Sequence, residues 1–193
     1  MTRSKEFDPQ EALGVALECF NRRGYAGSSI SMLTREMGIG RASIYATYGD
    51  KRSLYMAALE NYADAIVAYV VERLEKAEHP LDEIRGLLRY VTETATRTEA
   101  PHGCFLVNST TELASTDREI RALVAGSFSR LEEAYYGALL RAQRDGGLSP
   151  KKDARALARF LVAMMQALRV MGKANPDPAV AADVVETALE CLD

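Results

Sequence analysis

Two stretches of this chain of 193 residues hold side chains suited to specific chemistry. Between Gly24 and Leu54 lie Ser29, Ser31, Arg41, Ser43, Tyr45, Thr47, Tyr48 and Lys51, with Ala42 among them. A guanidinium can donate to both acceptors of a guanine, which contributes roughly 1–3 kcal/mol of base discrimination. Hydroxyls beside helix N-terminal amides suit phosphate. The second stretch is His102-Gly103-Cys104-Phe105-Leu106-Val107-Asn108-Ser109, where a thiol and an amide interrupt apolar residues after a Pro-His-Gly break. A thiolate near a helix N-terminus is stabilised by the helix dipole and gains reactivity. A cysteine also packs as a small buried hydrophobe. Asn108 requires hydrogen-bond partners, from a ligand, a cap or another helix.

Enzymatic chemistry has little to work with. The two histidines, His79 and His102, sit beside turn residues, and His102 and Cys104 are spaced so that they do not face one another on a helix. No P-loop, GxSxG string or carboxylate pair occurs. The three cysteines, Cys19, Cys104 and Cys191, are far apart and form no CxxC pair, which argues against a disulfide framework or a zinc site. No metal or cofactor is expected. No apolar run reaches the roughly 18 residues of a membrane span. With no secretory leader visible, a cytoplasmic location without membrane contact is expected. The formal charge is −3, whereas residues 1–60 carry +1. A polybasic nucleic-acid binder is thereby excluded, and any DNA contact must come from a local patch.

These side chains must be positioned by helices. Apolar residues recur every three or four positions, β-branched alternation is nearly absent, and the expected fold class is all-α with about nine helices. Asp8-Pro9 opens the first helix, with Leu13, Ala16, Leu17 and Phe20 as its buried stripe and Gly24 as its stop. Two short helices follow, about 31–37 and 41–48, broken by Gly38-Ile39-Gly40. A long helix runs from Lys51 to about Lys76. His79-Pro80 precedes the next helix, and Cys104–Leu113 forms a short one. Thr116-Asp117-Arg118-Glu119 reads as the capping box of a helix to about Arg144. Ser149-Pro150 and Asp177-Pro178 read as the starts of the last two helices.

Two short helices joined by a glycine turn make a helix-turn-helix, and the second is of a size to enter a major groove. Phe20, Gly24-Tyr25, Ser28-Ser29, Leu33, Gly38-Ile39, Ile44-Tyr45, Tyr48, Lys51 and Leu54-Tyr55 together resemble the DNA-binding domain of the TetR family of bacterial transcriptional regulators. The resemblance covers about a quarter of the chain. It implies a DNA-binding domain at 1–52 and a ligand-binding and dimerisation domain at 53–193. By position it assigns Ser29 and Ser31 to the start of the second helix. Arg41, Ala42, Ser43, Tyr45 and Thr47 fall on the recognition helix, and Tyr48 and Lys51 on phosphate contacts. Arg3 and Lys5 would extend that footprint. Met32 stands where the family often has an acid, Gly40 where it often has Ser, and Ala42 where it often has Gly.

The resemblance further implies a homodimeric repressor on a palindromic double-stranded operator, released by a small effector. The last two helices are apolar on nearly all sides, which calls for burial on more than one face. Leu157, Leu161, Leu168, Val184, Val185 and Leu189 are the expected dimer contacts. Cys104, Phe105, Asn108, Phe128, Tyr135, Met164, Met165 and Gln166 are the expected ligand contacts. Arg169, within an apolar helix, suits an acidic effector or equally a rim or interface position; few charges project there otherwise, so a mostly apolar effector is expected. The GCFLVN string resembles a branch of the family in which some members sense electrophiles or oxidants through this cysteine, so modification of Cys104 is a second route to release. The alternative is a helical partner-binding protein without DNA binding. It would leave the Arg41–Lys51 stretch without a purpose.

Overall fold

The computed structural model describes residues 7–96 and 102–193, and the expected contacts of Arg3 and Lys5 lie outside them. Among the described residues there are nine α-helices, no strand, and a closing 3-10 turn at Glu190–Leu192. Helix α1 (Pro9–Gly27) starts as expected, with the Asp8 carboxylate accepting from the Gln10 amide at 2.7 Å and Pro9 in the first turn. Gly24, at φ 74° and ψ 172°, breaks it, and a last turn resumes from Tyr25. Helices α2 (Ile30–Met37) and α3 (Arg41–Tyr48) follow, joined through Gly38, whose φ of 67° places it in the left-handed region that glycine adopts without strain. Helix α4 (Lys51–Lys76) is capped by Asp50, which accepts from the Ser53 amide at 2.7 Å.

The remaining helices are α5 (Pro80–Ala95), α6 (Phe105–Leu113), α7 (Arg118–Arg144), α8 (Ala154–Ala174) and α9 (Pro178–Leu189). Two expected starts are corrected. The cap of α7 is Asp117, whose carboxylate accepts from the Glu119 and Ile120 amides at 3.0 and 3.2 Å; the Thr116 hydroxyl turns back to the Leu113 carbonyl. Ser149-Pro150 does not open α8. The Gln143 side chain donates to the carbonyls of Ser149 and Lys152, holding that segment as a turn, and α8 begins only after Asp153 caps the Arg155 and Ala156 amides.

Two apolar clusters hold the helices together. Leu13, Phe20, Leu33, Ile44, Leu54, Tyr55, Phe105 and Ile120 join α1–α3 to the first half of α4, to α6 and to the start of α7. Leu74, Ile84, Leu88, Tyr135, Leu161, Leu168 and Val185 join the second half of α4 to α5 and α7–α9. Helix α4 therefore belongs to both, and its first turns pack with the helix-turn-helix. Helix α8 passes so close to the end of α5 that a Cβ on Gly172 would collide with the Ala95 backbone.

Candidate nucleic-acid interface and adjoining cleft

Helix α3 buries one residue, Ile44, and leaves the others half-buried or exposed. Arg41, Ala42 and Tyr45 are exposed, Ser43 and Thr47 half-buried. The Arg41 guanidinium lies 5.6 Å from the Tyr45 ring centroid and donates to its hydroxyl at 3.3 Å. One helical turn separates them, so the two side chains form a single cationic, hydrogen-bonding ridge. Arg41 has no carboxylate partner among the described residues, whereas Arg22 and Arg23 of α1 pair with Glu36. Gly40 caps α3 without a side-chain bond, leaving its first amides to solvent or an anion. At α2, Ser29 is exposed and its hydroxyl accepts from the Met32 amide at 3.2 Å; Ser31 is exposed beside it. Met32 returns no bond, as its apolar side chain requires.

Tyr48 and Lys51 are more occupied than their positions in sequence suggested. The Tyr48 hydroxyl donates to the Pro9 carbonyl at 2.7 Å, pinning α3 to the start of α1, and burial followed by the nearby Asp8 charge raises its pKa. The hydroxyl proton is thus committed, and only its lone pairs remain free. The Lys51 ammonium lies 4.2 Å from the Tyr25 ring centroid; burial lowers its pKa, opposed by the charge of Glu112.

Glu112 was not singled out from sequence. Its carboxylate accepts from the Tyr25 and Ala26 amides, each at 2.9 Å, and so caps the turn that resumes after Gly24. A Cβ on Gly24 would come within 2.8 Å of that carboxylate. A second link runs through Asn108. Its amide donates at 2.7 Å to the Asn21 side chain and at 2.7 Å to the His102 carbonyl, and its oxygen accepts from Lys173 at 2.9 Å. Asn21 also donates to the Gly103 carbonyl at 3.3 Å. Arg52 makes a third link, donating to Asp117 at 2.8 and 3.0 Å and to Glu119 at 2.7 Å. Helices α1 and α4 are thereby tied to α6, α7 and α8 by polar contacts that only the folded chain brings together.

The expected ligand contacts do not converge on one cavity. Phe105 and Tyr135 are fully enclosed, and Met165 receives the Tyr135 hydroxyl at 2.9 Å on its sulfur. Met164 is buried and lines a groove between α8 and α9. Phe128 is half-buried between the two clusters, and Asn108 is occupied as above. Cys104 caps the start of α6, is 3% exposed, and receives the Tyr62 hydroxyl at 3.6 Å. Gln166 donates to Val162, but its buried oxygen has no partner among the described residues. An orphaned acceptor costs about 1–3 kcal/mol, which a water or ligand donor would relieve.

A cleft of about 210 Å³ opens beside Cys104 instead, and sequence reading missed most of its wall. Helix α4 contributes Tyr62 and Ile66, and α5 contributes Tyr90, Thr94 and Ala95. Gly103 and Arg169 close it from the segment before α6 and from α8. Of that wall the sequence singled out Arg169 alone, the one arginine within the apolar run of α8.

The expected dimer contacts also divide. Leu161, Leu168, Val185 and Leu189 are buried in the chain's own core. Leu157 and Val184 are half-buried at its edge. The outward apolar surface is made by Phe160, Val170, Met171 and Val180, each about two-fifths to one-half exposed. The all-round apolar pattern singled out α8 and α9, which carry both buried and exposed apolar residues. It could not tell which side faces inward, because both sides are apolar. Among the described residues no helix is long and apolar enough to cross a membrane, and no group of three metal-ligating side chains is assembled.

Comparison with known proteins fits this arrangement. The family model described as bacterial regulatory proteins, tetR family, matches residues 12–58, and the tetracyclin repressor-like C-terminal domain matches residues 80–188. The uncharacterized HTH-type transcriptional regulator YezE of Bacillus subtilis (strain 168) is 34% identical over the full length of both chains. The HTH-type transcriptional repressor ComR of Escherichia coli (strain K12) is 26% identical, covering 89% of this chain and 82% of that one. A solved structure of a cysteine mutant of the regulator CifR on a 26-bp operator duplex superposes with a TM-score of 0.86. It is 28% identical and covers 99% of this chain and 100% of the other. With its helix-turn-helix, its helical C-terminal half and relatives matched along the whole length, this chain belongs to the TetR family of DNA-binding transcriptional regulators.

Proposed function

We propose that the chain is a homodimeric repressor that binds an inverted-repeat operator and leaves it when a small effector occupies the C-terminal half. In this reading residues 1–52 read DNA and residues 53–193 dimerise and bind the effector. The observation that carries it is the outward ridge of Arg41 and Tyr45 on a helix that buries Ile44 alone. Such a helix contributes little to the core, and its exposed donors suit base edges and phosphates. Ser29 and Ser31 at the start of α2, and Ser43 and Thr47 on another face of α3, supply hydroxyls, and Lys51 a charge partly screened by Tyr25.

The second copy would cover Phe160, Val170, Met171, Val180 and the edge residues Leu157 and Val184. A contiguous apolar face on a protein of this size marks an interface. A twofold pairing through α8 and α9 would present two α3 helices to half-sites one turn of duplex apart. Release follows from linkage: an effector that prefers the arrangement unable to bind DNA shifts the population toward it. The Glu112 and Asn108 contacts give that shift a physical route to α1. Cys104, buried beneath the Tyr62 hydroxyl, supports packing better than exposure to an oxidant, so binding in the cleft is favoured over thiol modification.

Footprinting upstream of the protein's own gene and its neighbours tests the proposal. A protected inverted repeat is expected; sequence-indifferent binding throughout those regions would contradict it.

A further inference from the structure

We propose that the cleft between α4, α5 and α8 binds a small organic monocarboxylate, whose carboxylate pairs with Arg169 and whose apolar body lies against Tyr62, Ile66 and Tyr90. This rests on the effector reading above and gives the effector a chemical class. It takes up the acidic effector that Arg169 suggested in the sequence, over the mostly apolar one expected there.

The charge balance points to an anion. The other large clefts each hold carboxylates: Asp82 and Asp193 in one at the α5 start, Glu75 and Glu133 in another, Glu60 and Asp64 in a third, and Asp183 in the α8–α9 groove. The cleft beside Cys104 holds none among its described lining. The arginines of those other clefts are already paired, Arg85 with Asp82 and Asp193, and Arg130 with Asp64. Arg169 is half-buried and has no carboxylate or hydrogen-bond partner among the described residues. A guanidinium so placed gains from a bidentate carboxylate, the pairing its planar donors fit best.

The rest of the wall suits a short apolar or aromatic body. The Tyr62 hydroxyl is turned away to the Cys104 sulfur, and burial, then the thiol, raise its pKa; the phenol stays neutral and adds no competing charge. Tyr90 stands at the rim, two-fifths exposed and 5.7 Å from Tyr69 between ring centroids. The Thr94 hydroxyl donates to the Tyr90 and Val91 carbonyls, so Arg169 is left as the charged donor facing the cleft. At about 210 Å³ the space is smaller than the roughly 300–1,000 Å³ of drug-sized pockets, which limits the occupant to an acid of about a dozen heavy atoms.

The cleft is also wired to the DNA-binding helices. Gly103, in its wall, accepts from Asn21 of α1 through its carbonyl. One helical turn beyond Arg169, Lys173 donates to Asn108, which in turn donates to Asn21. An acid drawn to Arg169 therefore acts on the helix turn that positions α1.

Calorimetric titration of the DNA-free protein with cinnamate, and with neutral cinnamamide as the matched control, tests the site. Cinnamate is expected to bind at least tenfold more tightly than the amide. Arg169→Gln should lose that tenfold preference while leaving the amide unchanged, and Arg169→Lys should restore part of it. The acid–amide comparison needs no variant, so a misfolded Arg169→Gln does not spare the proposal. Equal binding of acid and amide overturns it, as does failure of benzoate, cinnamate and octanoate all to bind at millimolar concentration. A parallel gel-shift assay separates the two readings. Operator binding with no acid binding overturns the site and leaves the repressor; acid binding without operator release keeps the site and overturns its role as the effector pocket.

Discussion

The Glu112 carboxylate of α6 accepts the backbone amide of Tyr25 in α1 at 2.9 Å, across 87 residues of sequence. With the second bond to Ala26, it replaces the cap that the helix lost at Gly24. Hydrogen bonds to a charged acceptor contribute about 1.5–3 kcal/mol where enclosed and less where solvent reaches them. Glu112→Ala is therefore expected to destabilise the fold by about 1–2 kcal/mol, lowering Tm by several degrees. The same variant should weaken the link between cleft occupancy and operator affinity. Thermal melts and effector-dependent gel shifts measure the two effects; an unchanged melt would show the bonds to be idle.

Gly24→Ala tests the same joint from the other side. The residue sits at φ 74°, and its new Cβ would press on the Glu112 carboxylate. Strain of about 1–2 kcal/mol is expected from the backbone alone. Combined with Glu112→Ala the loss should be less than additive, because removing the carboxylate relieves the contact. A double-mutant cycle of denaturant midpoints reads this directly.

Phe160 and Leu161 are neighbours with opposite duties. Phe160 faces outward and Leu161 is 1% exposed within the core. Phe160→Glu should raise the dimer dissociation constant at least a hundredfold while leaving secondary structure intact, since a charge would be buried twice across a twofold contact. Leu161→Ala should cost about 2–5 kcal/mol of fold stability. Sedimentation velocity and thermal melts separate the two outcomes.

Arg52 holds the Asp117 carboxyl at about 2, below its ordinary value of 3.8. Reciprocally, the bonds to Asp117 and Glu119 raise the Arg52 pKa. A depressed carboxylate stabilises the folded state above its unfolded pKa, and that contribution fades as pH falls toward about 2. Wild type should accordingly lose stability over that acid window more steeply than Asp117→Asn, with denaturant midpoints from pH 5 to 2 as the readout. Parallel acid profiles would remove this pair from the acid response.

Much of the fold was legible because its determinants are local. Asp8-Pro9 and Gly38 act within a turn of chain, and the period of Leu33, Met37 and Ile44 shows which faces go inward. The exposure of Arg41 and Tyr45 was legible for the same reason: α3 has one buried residue and a run of donors. What sequence hid depends on distant partners. Gln143 captures two carbonyls and delays α8 past Pro150, and Arg52 reaches Asp117 across 65 residues. The inward faces of α8 and α9 could not be read from helices apolar on both sides. Cys104, Phe105 and Tyr135 were singled out as cavity lining, but close packing consumes them, and the open cleft lies beside them around Arg169.

The central claim is that α3 reads base edges, with Arg41 as the chief reader. Selection of duplexes from a random-sequence pool by wild type and by Arg41→Ala tests it most directly. Wild type should enrich an inverted repeat, and the variant should bind as a dimer but lose preference at matching positions in both half-sites. Enrichment of the same motif with the same stringency by both proteins would contradict it.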